Sequence, residues 1–238
     1  IINNMKKLYS VLFLLLPLFI FSQTTDLMIT KYGEGTSNNK FIEIYNGTGA
    51  DVDLSNYSLS SCSNGCNTAD EWDYPDNVTF PAGTIIANGD VYVVTHGSAD
   101  ASILAEGDQT FTYLSNGDDV YALTLAGATA DSYTIIDILG DMGDDPGSGW
   151  AVGDDSNGTQ NQTLTRKTSV CSPNPTPLGS FGTDAASSEW EIGDSDSGWD
   201  TLGSYTTACV SSTSTQVTIG TGTVTGEELP IEPYYGYS

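Results

Sequence analysis

One acidic loop of the sequence carries residue types that could bind a metal ion. Within segment 194–200, carboxylates stand at Asp194, Asp196 and Asp200, and Gly198 allows a bend. Calcium takes about six to eight hard oxygen ligands, and aspartates spaced along a turn can supply several of them. The bidentate glutamate that completes a calcium loop is missing downstream. The segment therefore predicts either a partial calcium site or, as the plainer alternative, a solvated acidic loop.

A second group of carboxylates raises the question of acid–base catalysis. Paired Asp or Glu side chains can hydrolyse a glycosidic bond when one acts as acid and the other as base or nucleophile. In a chain with 31 acidic residues, however, neighbouring carboxylates arise by chance. We therefore expect solvated loops here rather than a catalytic pair. The group consists of Asp141, Asp144, Asp145, Asp154 and Asp155.

The charge balance excludes several classes of partner and site. The chain has 238 residues, with 6 Lys and Arg against 31 Asp and Glu, and its formal net charge is −25. Nucleic acids and anionic membranes need cationic side chains that neutralise phosphate, so we expect no direct binding to either. The single histidine, His96, rules out zinc sites built on two histidines. A Ser-His-Asp triad would have to use that one residue.

The four cysteines indicate disulfides in an oxidising compartment. A zinc site would need Cys62, Cys66, Cys171 and Cys209 to converge without a nearby histidine, so two disulfides are the better interpretation. Four cysteines allow about three pairings. We favour Cys62–Cys66, which encloses a Ser-Asn-Gly turn, and Cys171–Cys209, which brackets one segment.

The N-terminal segment has the pattern of a secretory signal peptide. Two lysines follow the first methionine, and an almost unbroken apolar run comes next. The run is shorter than the roughly 20 residues that span a membrane, and Ser22 offers a small residue for cleavage. We assign 1–4 as upstream readthrough and 5–22 as the signal peptide. This predicts a secreted or outer-surface protein with no membrane span after cleavage.

The rest of the chain has the pattern of a β-sandwich. Short runs of alternating apolar residues are separated by Gly and Asn turns, and no segment shows sustained helical periodicity. The one short helix is expected over 99–105. Strands are predicted over 27–32, 41–45, 52–54, 57–62, 78–80, 91–95, 120–125, 133–139 and 163–167.

The predicted strand 41–45 divides its side chains between two faces. Ile42 and Ile44 share one face, and Glu43 lies on the other, which we expect to be polar. Glu43 is therefore expected to form a salt bridge with Lys40 or Arg166 rather than to act in catalysis.

Glycine-rich and Ser/Thr-rich stretches suggest the loops and the domain limits. Residues 140–159 and 193–203 are predicted as long acidic loops. From 211 onward the chain is rich in Ser and Thr, as linkers are. We expect one β-sandwich domain over 24–210, followed by 211–238 as a linker and the start of a further segment, so that the natural protein continues.

Several ordered segments share their pattern with one known family. They are 34–46, 51–59, 88–94, 98–104, 115–123, 136–140, 145–147, 163–167 and 188–190. Together, from Asp26 to Tyr205, these segments resemble the lamin tail domain as found in secreted bacterial proteins. The resemblance implies an all-β, immunoglobulin-like β-sandwich with long acidic, glycine-rich loops and no catalytic residues.

The family also implies a function. In exported bacterial proteins such modules accompany hydrolases or adhesion regions, so we expect a non-catalytic, monomeric binding or spacer module of a larger secreted or cell-surface protein. Its ligand would be a protein or a carbohydrate surface. No cofactor is expected to be required, and calcium is the one candidate. The alternatives are a hydrolase that uses loop carboxylates and a calcium-dependent adhesin.

Overall fold

The computed structural model describes residues 23–143 and 145–209. The expected readthrough at 1–4, the signal peptide at 5–22 and the linker at 211–238 lie outside the described residues. Asp144 of the second acidic group also lies outside them. Among the described residues, no helix is long and apolar enough to cross a membrane.

The described residues form short strands and one short helix. In chain order the strands are β1 (Met28–Glu34), β2 (Lys40–Tyr45), β3 (Val52–Asp53), β4 (Tyr57–Cys62), β5 (Tyr74–Thr79), β6 (Ile85–Ile86), β7 (Val91–Thr95), β8 (Gln109–Thr110), β9 (Val120–Leu125), β10 (Ile135–Leu139), β11 (Gln162–Arg166) and β12 (Trp190–Asp194), and the helix is α1 (Ala101–Ala105). Single 3-10 turns cover Leu54–Asn56 and Trp199–Thr201.

Two main sheets contain most of these strands. The six-stranded sheet has the order β12-β11-β1-β2-β7-β8, and the four-stranded sheet has the order β10-β9-β4-β5. The short strands β3 and β6 pair separately. Neighbouring strands run antiparallel except β7 and β8, which are parallel. The prediction of an all-β, immunoglobulin-like sandwich is confirmed.

One continuous apolar core joins the two main sheets. Ile42 and Ile44 of β2 belong to the same buried cluster as Leu164 of β11, Leu59 of β4 and Leu123 of β9. These side chains come from alternate strand positions, as expected for sheets that bury one face against each other. The predicted apolar face of β2 is therefore the inner face of the sandwich.

The opposite face of the six-stranded sheet is also buried. The C-terminal segment 199–209, here called the strap, crosses it: Leu202 belongs to one apolar cluster with Phe41, and the ring of Tyr205 lies 5.0 Å from that of Tyr45. The sequence predicted that this face of β2 is polar; in the structure it is buried, with Phe41 and Tyr45 on either side of Glu43. A five-residue strand pattern does not reveal that a segment some 160 residues later covers it.

β12 was not predicted as a strand, and β5 is longer than its prediction. β12 extends to Asp194, into the predicted loop 193–203, because ladder pairing with β11 holds its Gly and Asp in place. β5 begins at Tyr74 and passes through Pro75, well before the predicted strand 78–80. β5 is an edge strand, where the missing proline N–H does not break an interior ladder.

Helix α1 agrees with the predicted helix apart from its start. The structure begins it at Ala101, because Asp100 is its N-cap and accepts a hydrogen bond from the backbone N–H of Ser102. Capping by an aspartate satisfies an N–H group that the first helical turn leaves without a partner.

Both cysteine pairs lie at disulfide distance, in the pairing that the sequence analysis favours. The Cα atoms are 5.0 Å apart in Cys62–Cys66 and 5.4 Å apart in Cys171–Cys209. The second bridge ties the end of the strap to the loop after β11. The first closes the turn that follows β4.

We expect the folded protein to contain no reactive thiol and to lose stability on reduction. The bridge Cys171–Cys209 closes 38 residues, and cross-linking a loop of that length stabilises by about 4 kcal/mol in the chain-entropy account. Thiol titration in denaturant without reductant tests the first point, and urea unfolding of a Cys171→Ser/Cys209→Ser variant tests the second. Two reactive thiols per chain, or unchanged stability of the variant, would contradict the assignment.

Candidate functional site

The strap is fixed to the sheet by a buried ion pair between Lys31 of β1 and Glu43 of β2. The Lys31 Nζ to Glu43 Oε1 distance is 2.9 Å, and the two side chains are 1% and 0% exposed. Lys31 also donates to the carbonyl oxygens of Thr201 and Ser204 in the strap, and Glu43 accepts from the N–H of Gly203. Both partners of the pair thus also bind strap backbone.

A second buried ion pair ties β10 to β11. Arg166 Nη1 lies 3.1 Å from Asp137 Oδ2, with both side chains fully buried, and Arg166 also pairs with Glu189. The guanidinium stacks on the ring of Trp190, 4.7 Å from its centre. Asp137 in turn accepts from the N–H of Ile29, so one carboxylate links three strands.

A third ion pair joins the end of β1 to the start of β2, next to the loop that connects the two strands. Lys40 Nζ lies 3.1 Å from Glu34 Oε1, with both side chains nearly buried. Lys40 also donates to the Ser115 carbonyl oxygen and to Asn116 Oδ1, and Glu34 accepts from the N–H of Asn161. This pair therefore anchors two loops against the hairpin.

All four basic residues beyond the N-terminal lysines therefore have internal roles. The fourth, Lys167, donates from Nζ to the carbonyl oxygens of Ala185 and Ser188. None of the four projects as an unpaired cation from the described part of the chain. Glu43 pairs with Lys31, not with Lys40 or Arg166 as predicted. Those two are occupied by Glu34 and Asp137 on other parts of the sheet.

Burial shifts the titration of the paired carboxyl groups. Loss of hydration raises the pKa of Glu43, and the positive charge of Lys31 opposes this only in part. Burial likewise raises the pKa of Asp137 against the lowering effect of the Arg166 guanidinium. Both carboxylates thus depend on their cationic partners to stay ionised inside the fold.

The three predicted calcium ligands are placed in different surroundings. Asp194 ends β12, Asp200 lies in the 3-10 turn of the strap, and Asp196 lies in the loop between them. Asp196 accepts hydrogen bonds from the backbone N–H and hydroxyl of Thr36 and from the amide of Asn39. Its carboxylate therefore holds the β1–β2 loop.

The described residues contain no group of three or more His, Cys, Asp or Glu side chains that could hold a metal ion. Calcium binding at Asp194, Asp196 and Asp200 stays an untested prediction. The carboxylates of the second acidic group have local roles where hydrogen bonds are seen. Asp145 and Asp155 each accept from the N–H two residues on, and Asp154 accepts from Ala185.

A groove of about 620 Å³ lies beside β12. Asp154, Asp155 and Lys167 line it, but each of them already binds backbone groups of the surrounding loops. Trp190 contributes to its wall and is almost fully buried by Arg166 on the other side. Asp154, Asp155 and Lys167 therefore anchor the loops around the groove.

A second recessed area, here called the tyrosine groove, lies where the β4–β5 connection meets the loop before β9. It consists of two recesses of about 240 and 230 Å³ that share Ser63 and Tyr113. The side chain of Tyr113 is 77% exposed, and that of Tyr74 is 50% exposed. Sequence analysis did not single out these tyrosines. Their only signal was aromatic residues in stretches without strand periodicity.

The only histidine also lines the tyrosine groove. His96 accepts a hydrogen bond at Nδ1 from the N–H of Ser98, so in the neutral ring the proton is on Nε2. Of the four tryptophans, Trp72, Trp150 and Trp190 are buried and only Trp199 is partly buried. The exposed aromatic surface of the groove is thus supplied by tyrosine.

Comparison with known proteins points to one family. Residues 21–137 match the model of the Lamin Tail Domain family. Because of this similarity, we refer to this part of the chain as the lamin tail domain. No match to the chain was found among curated proteins or among solved structures. The family's domain is immunoglobulin-like and generally non-catalytic.

The lamin tail domain match ends within β10, although the sandwich continues. β11, β12 and the strap follow it, and β11 pairs directly with β1. Each of the three ion pairs connects residues of the match with later ones: Glu43 with Gly203, Asp137 with Arg166, and Glu34 with Asn161. The later residues are thus built into the lamin tail domain through its buried charges.

Replacing Lys31 by methionine should destabilise the fold strongly. Glu43 would remain buried without its cation, and breaking such a pair typically costs about 3–5 kcal/mol. Burial gives Glu43 a folded pKa above its usual 4.5. A raised folded pKa adds stability below the unfolded pKa, and that stability is lost as pH rises through the folded pKa. The Lys31→Met defect should therefore shrink as pH falls toward 4.5. Urea unfolding at neutral and acidic pH measures this.

The matched control is the double variant Lys31→Met/Glu43→Gln. It removes both charges while the glutamine oxygen can still accept from Gly203. We expect it to be more stable than Lys31→Met alone at neutral pH, since no charge is left uncompensated. Equal losses in the two variants would show that the ion pair is not what the strap depends on.

The backbone amide of Thr36 should report the ionisation of Asp196. Burial acts to raise the pKa of this carboxyl, but the hydrogen bonds from Thr36 and Asn39 outweigh it and hold the pKa below 3.8. The amide chemical shift of Thr36 should thus titrate with a midpoint below that value. Its contribution to stability is present above pH 3.8 and is lost as pH falls through the folded pKa. Asp196→Asn should abolish the titration.

The same resonance tests calcium. Binding at Asp194, Asp196 and Asp200 would shift the Thr36 amide at millimolar calcium and much less at equal magnesium, because magnesium demands a tighter octahedron and keeps its waters. The shift would vanish in Asp196→Ala. Equal responses to the two cations would leave a hydrogen-bonded acidic loop without a specific site.

Proposed function

We propose that the chain is a non-catalytic binding or spacer module of a larger exported protein. The observation that carries this is the internal use of every basic side chain in the described residues. Three of the four form buried ion pairs, and the fourth caps loop carbonyls. The basic side chains of the described residues thus stabilise the fold.

Hydrolase chemistry has little support in this arrangement. Hydrolysis of esters, phosphates or glycosides commonly needs donors or cations that stabilise developing negative charge. The cations of the described residues are committed to carboxylates and carbonyls. Asp154 and Asp155 in the groove beside β12 accept hydrogen bonds from backbone N–H groups. A lamin tail domain that positions other parts of a protein fits these contacts better than an active site.

The surface charge points to the same class of function. With 31 acidic residues and its basic side chains turned inward, the protein presents an anionic exterior. Such a field repels nucleic acid and anionic lipid at long range. The partners that fit are neutral or cationic, and the protein's own solubility benefits from the charge.

An extracellular setting is consistent with the disulfides. Two closed bridges persist in oxidising compartments and are uncommon in the reducing cytosol. One of them lies at the end of the described chain, where it fixes the strap before the predicted linker at 211–238. A strap that is cross-linked to the loop after β11 gives the predicted linker a fixed point of attachment.

We expect the purified protein to lack hydrolase activity and to leave duplex DNA unbound at physiological salt. Chromogenic phosphate monoesters, phosphate diesters and glucosides test the first point, with Asp154→Asn/Asp155→Asn as the matched variant. Fluorescence anisotropy of labelled duplex DNA with a metal chelator present tests the second. Turnover that the double variant abolishes would establish a hydrolase. Saturable DNA binding would refute the electrostatic argument.

A further inference from the structure

The tyrosine groove combines exposed aromatic rings with uncharged polar groups. Its second recess is lined by Tyr74, Tyr113 and Tyr121 together with Ser61, Ser63 and Asn77, none of which carries a charge at neutral pH. Its hydroxyl and amide groups can both donate and accept hydrogen bonds.

The charged residues of the first recess are bonded to other groups within the fold. Lys40 is bound to Glu34 and to Asn116 Oδ1. Asp119 accepts from the backbone N–H groups of Asn64 and Asn116. The remaining polar lining is again neutral, apart from His96: it consists of Ser37, Asn38, Ser63, Thr112 and Asn116.

The groove is rigid because its walls are cross-linked. The disulfide Cys62–Cys66 closes the turn that carries Ser63. Asn64 is hydrogen-bonded to Asp119 across the groove. The Tyr121 hydroxyl donates to the Tyr113 carbonyl oxygen, which fixes the backbone beneath the most exposed ring. A pre-formed site of this kind loses little conformational entropy when a ligand binds.

We propose that the tyrosine groove binds a neutral glycan. A pyranose ring has an apolar face of C–H groups that can pack on Tyr113 and Tyr74, and its rim of hydroxyls suits Ser, Asn and Tyr groups that donate and accept. The second recess has no charged side chain, which matches an uncharged ligand. The anionic exterior disfavours polyuronates and sulfated glycans. This inference rests on the proposed binding function and names the ligand class.

An extended peptide fits the same surface less well. The edge strand next to the groove is β5, and strand addition needs regular unpaired N–H and C=O groups along it. Pro75 lacks the N–H, and Asp76 has a φ of 48°, which interrupts the extended backbone. The pairing of β5 with β4 also shifts register at this point. The edge is therefore unsuited to adding a peptide strand.

Native affinity electrophoresis of the purified protein tests the proposal. The gels contain laminarin, dextran or mannan as neutral glycans, or alginate as the anionic counterpart. We expect at least one neutral glycan to retard the protein and alginate to have no such effect. Tyr113→Ala should weaken the retardation about tenfold, equivalent to about 1.4 kcal/mol, and Tyr113→Phe should stay near the original affinity. The ring is exposed, so the variants should fold.

The control is Ile85→Ala, which removes an apolar side chain that is 54% exposed and lies outside the groove. It should bind as the unchanged protein does. The proposal is overturned if no neutral glycan retards the protein, if Tyr113→Ala binds equally well, or if alginate binds more tightly. It is also overturned if casein peptides bind in a Tyr113-dependent way while glycans do not.

One further readout separates this proposal from the proposed function. Reducing ends released from the retarding glycan would show catalysis, which would end the non-catalytic proposal while leaving the groove as a glycan site. Glycan binding without release supports both. Loss of glycan binding leaves the non-catalytic proposal intact and removes only the ligand class.

Discussion

The structure depends on where its few positive charges are buried. Lys31 lies between two strands and the strap, with Glu43 as its counter-ion and strap carbonyls as its other acceptors. A buried ammonium group is costly unless it is paired and its remaining donors are satisfied. The strap supplies those acceptors, and in return its position over the sheet is fixed. One ion pair thereby couples the hairpin of the lamin tail domain to the end of the described chain.

The same principle recurs at the other two ion pairs. Arg166 brings β10, β11 and Glu189 together around Asp137, and Lys40 draws two loops onto the β1–β2 hairpin. Lys31–Glu43 and Lys40–Glu34 join cross-strand neighbours of the β1–β2 hairpin, and Asp137–Arg166 joins β10 to β11. Each pair also binds backbone of a segment more distant in sequence, which helps to replace the lost hydration. The residues after the family match thus complete the sandwich instead of forming an appendage. Their loss would leave the buried Asp137 without its cation and would remove the backbone N–H donors that Glu43 and Glu34 accept from.

Because most basic side chains are buried, the protein has two kinds of surface. Most of the exterior is rich in carboxylates that no surface cation balances. The tyrosine groove differs, because the lining of its second recess is aromatic and uncharged, and the two charged residues of its first recess, Lys40 and Asp119, are bonded within the fold. Disulfides hold both the groove and the strap in place. Such a fixed and locally uncharged patch, on an otherwise anionic surface, suits a binding module.

The sequence by itself determined the features that rest on local pattern. Alternation and turn residues were enough to predict the sandwich, the apolar face of β2 and helix α1, because these depend on neighbours within a few residues. Ordered segments were also enough to indicate the family. Local pattern failed at β12, whose Gly and Asp are held by pairing with β11, and at β5, whose proline is tolerated at a sheet edge.

Only the tertiary structure decided the partners. Beyond Lys6 and Lys7, the sequence contains four basic residues among many carboxylates, and the predicted strands did not fix which carboxylate each one meets. The register of the β1–β2 hairpin places Lys31 opposite Glu43, and the strap, from a distant part of the chain, covers the pair so that this strand is buried on both faces. The tyrosine groove could not be predicted either, because Tyr74, the first residue of β5, and Tyr113, in the loop before β9, come together only on folding. Strand register and long-range packing, which residue type alone does not reveal, created the internal charge pairs and the candidate binding site.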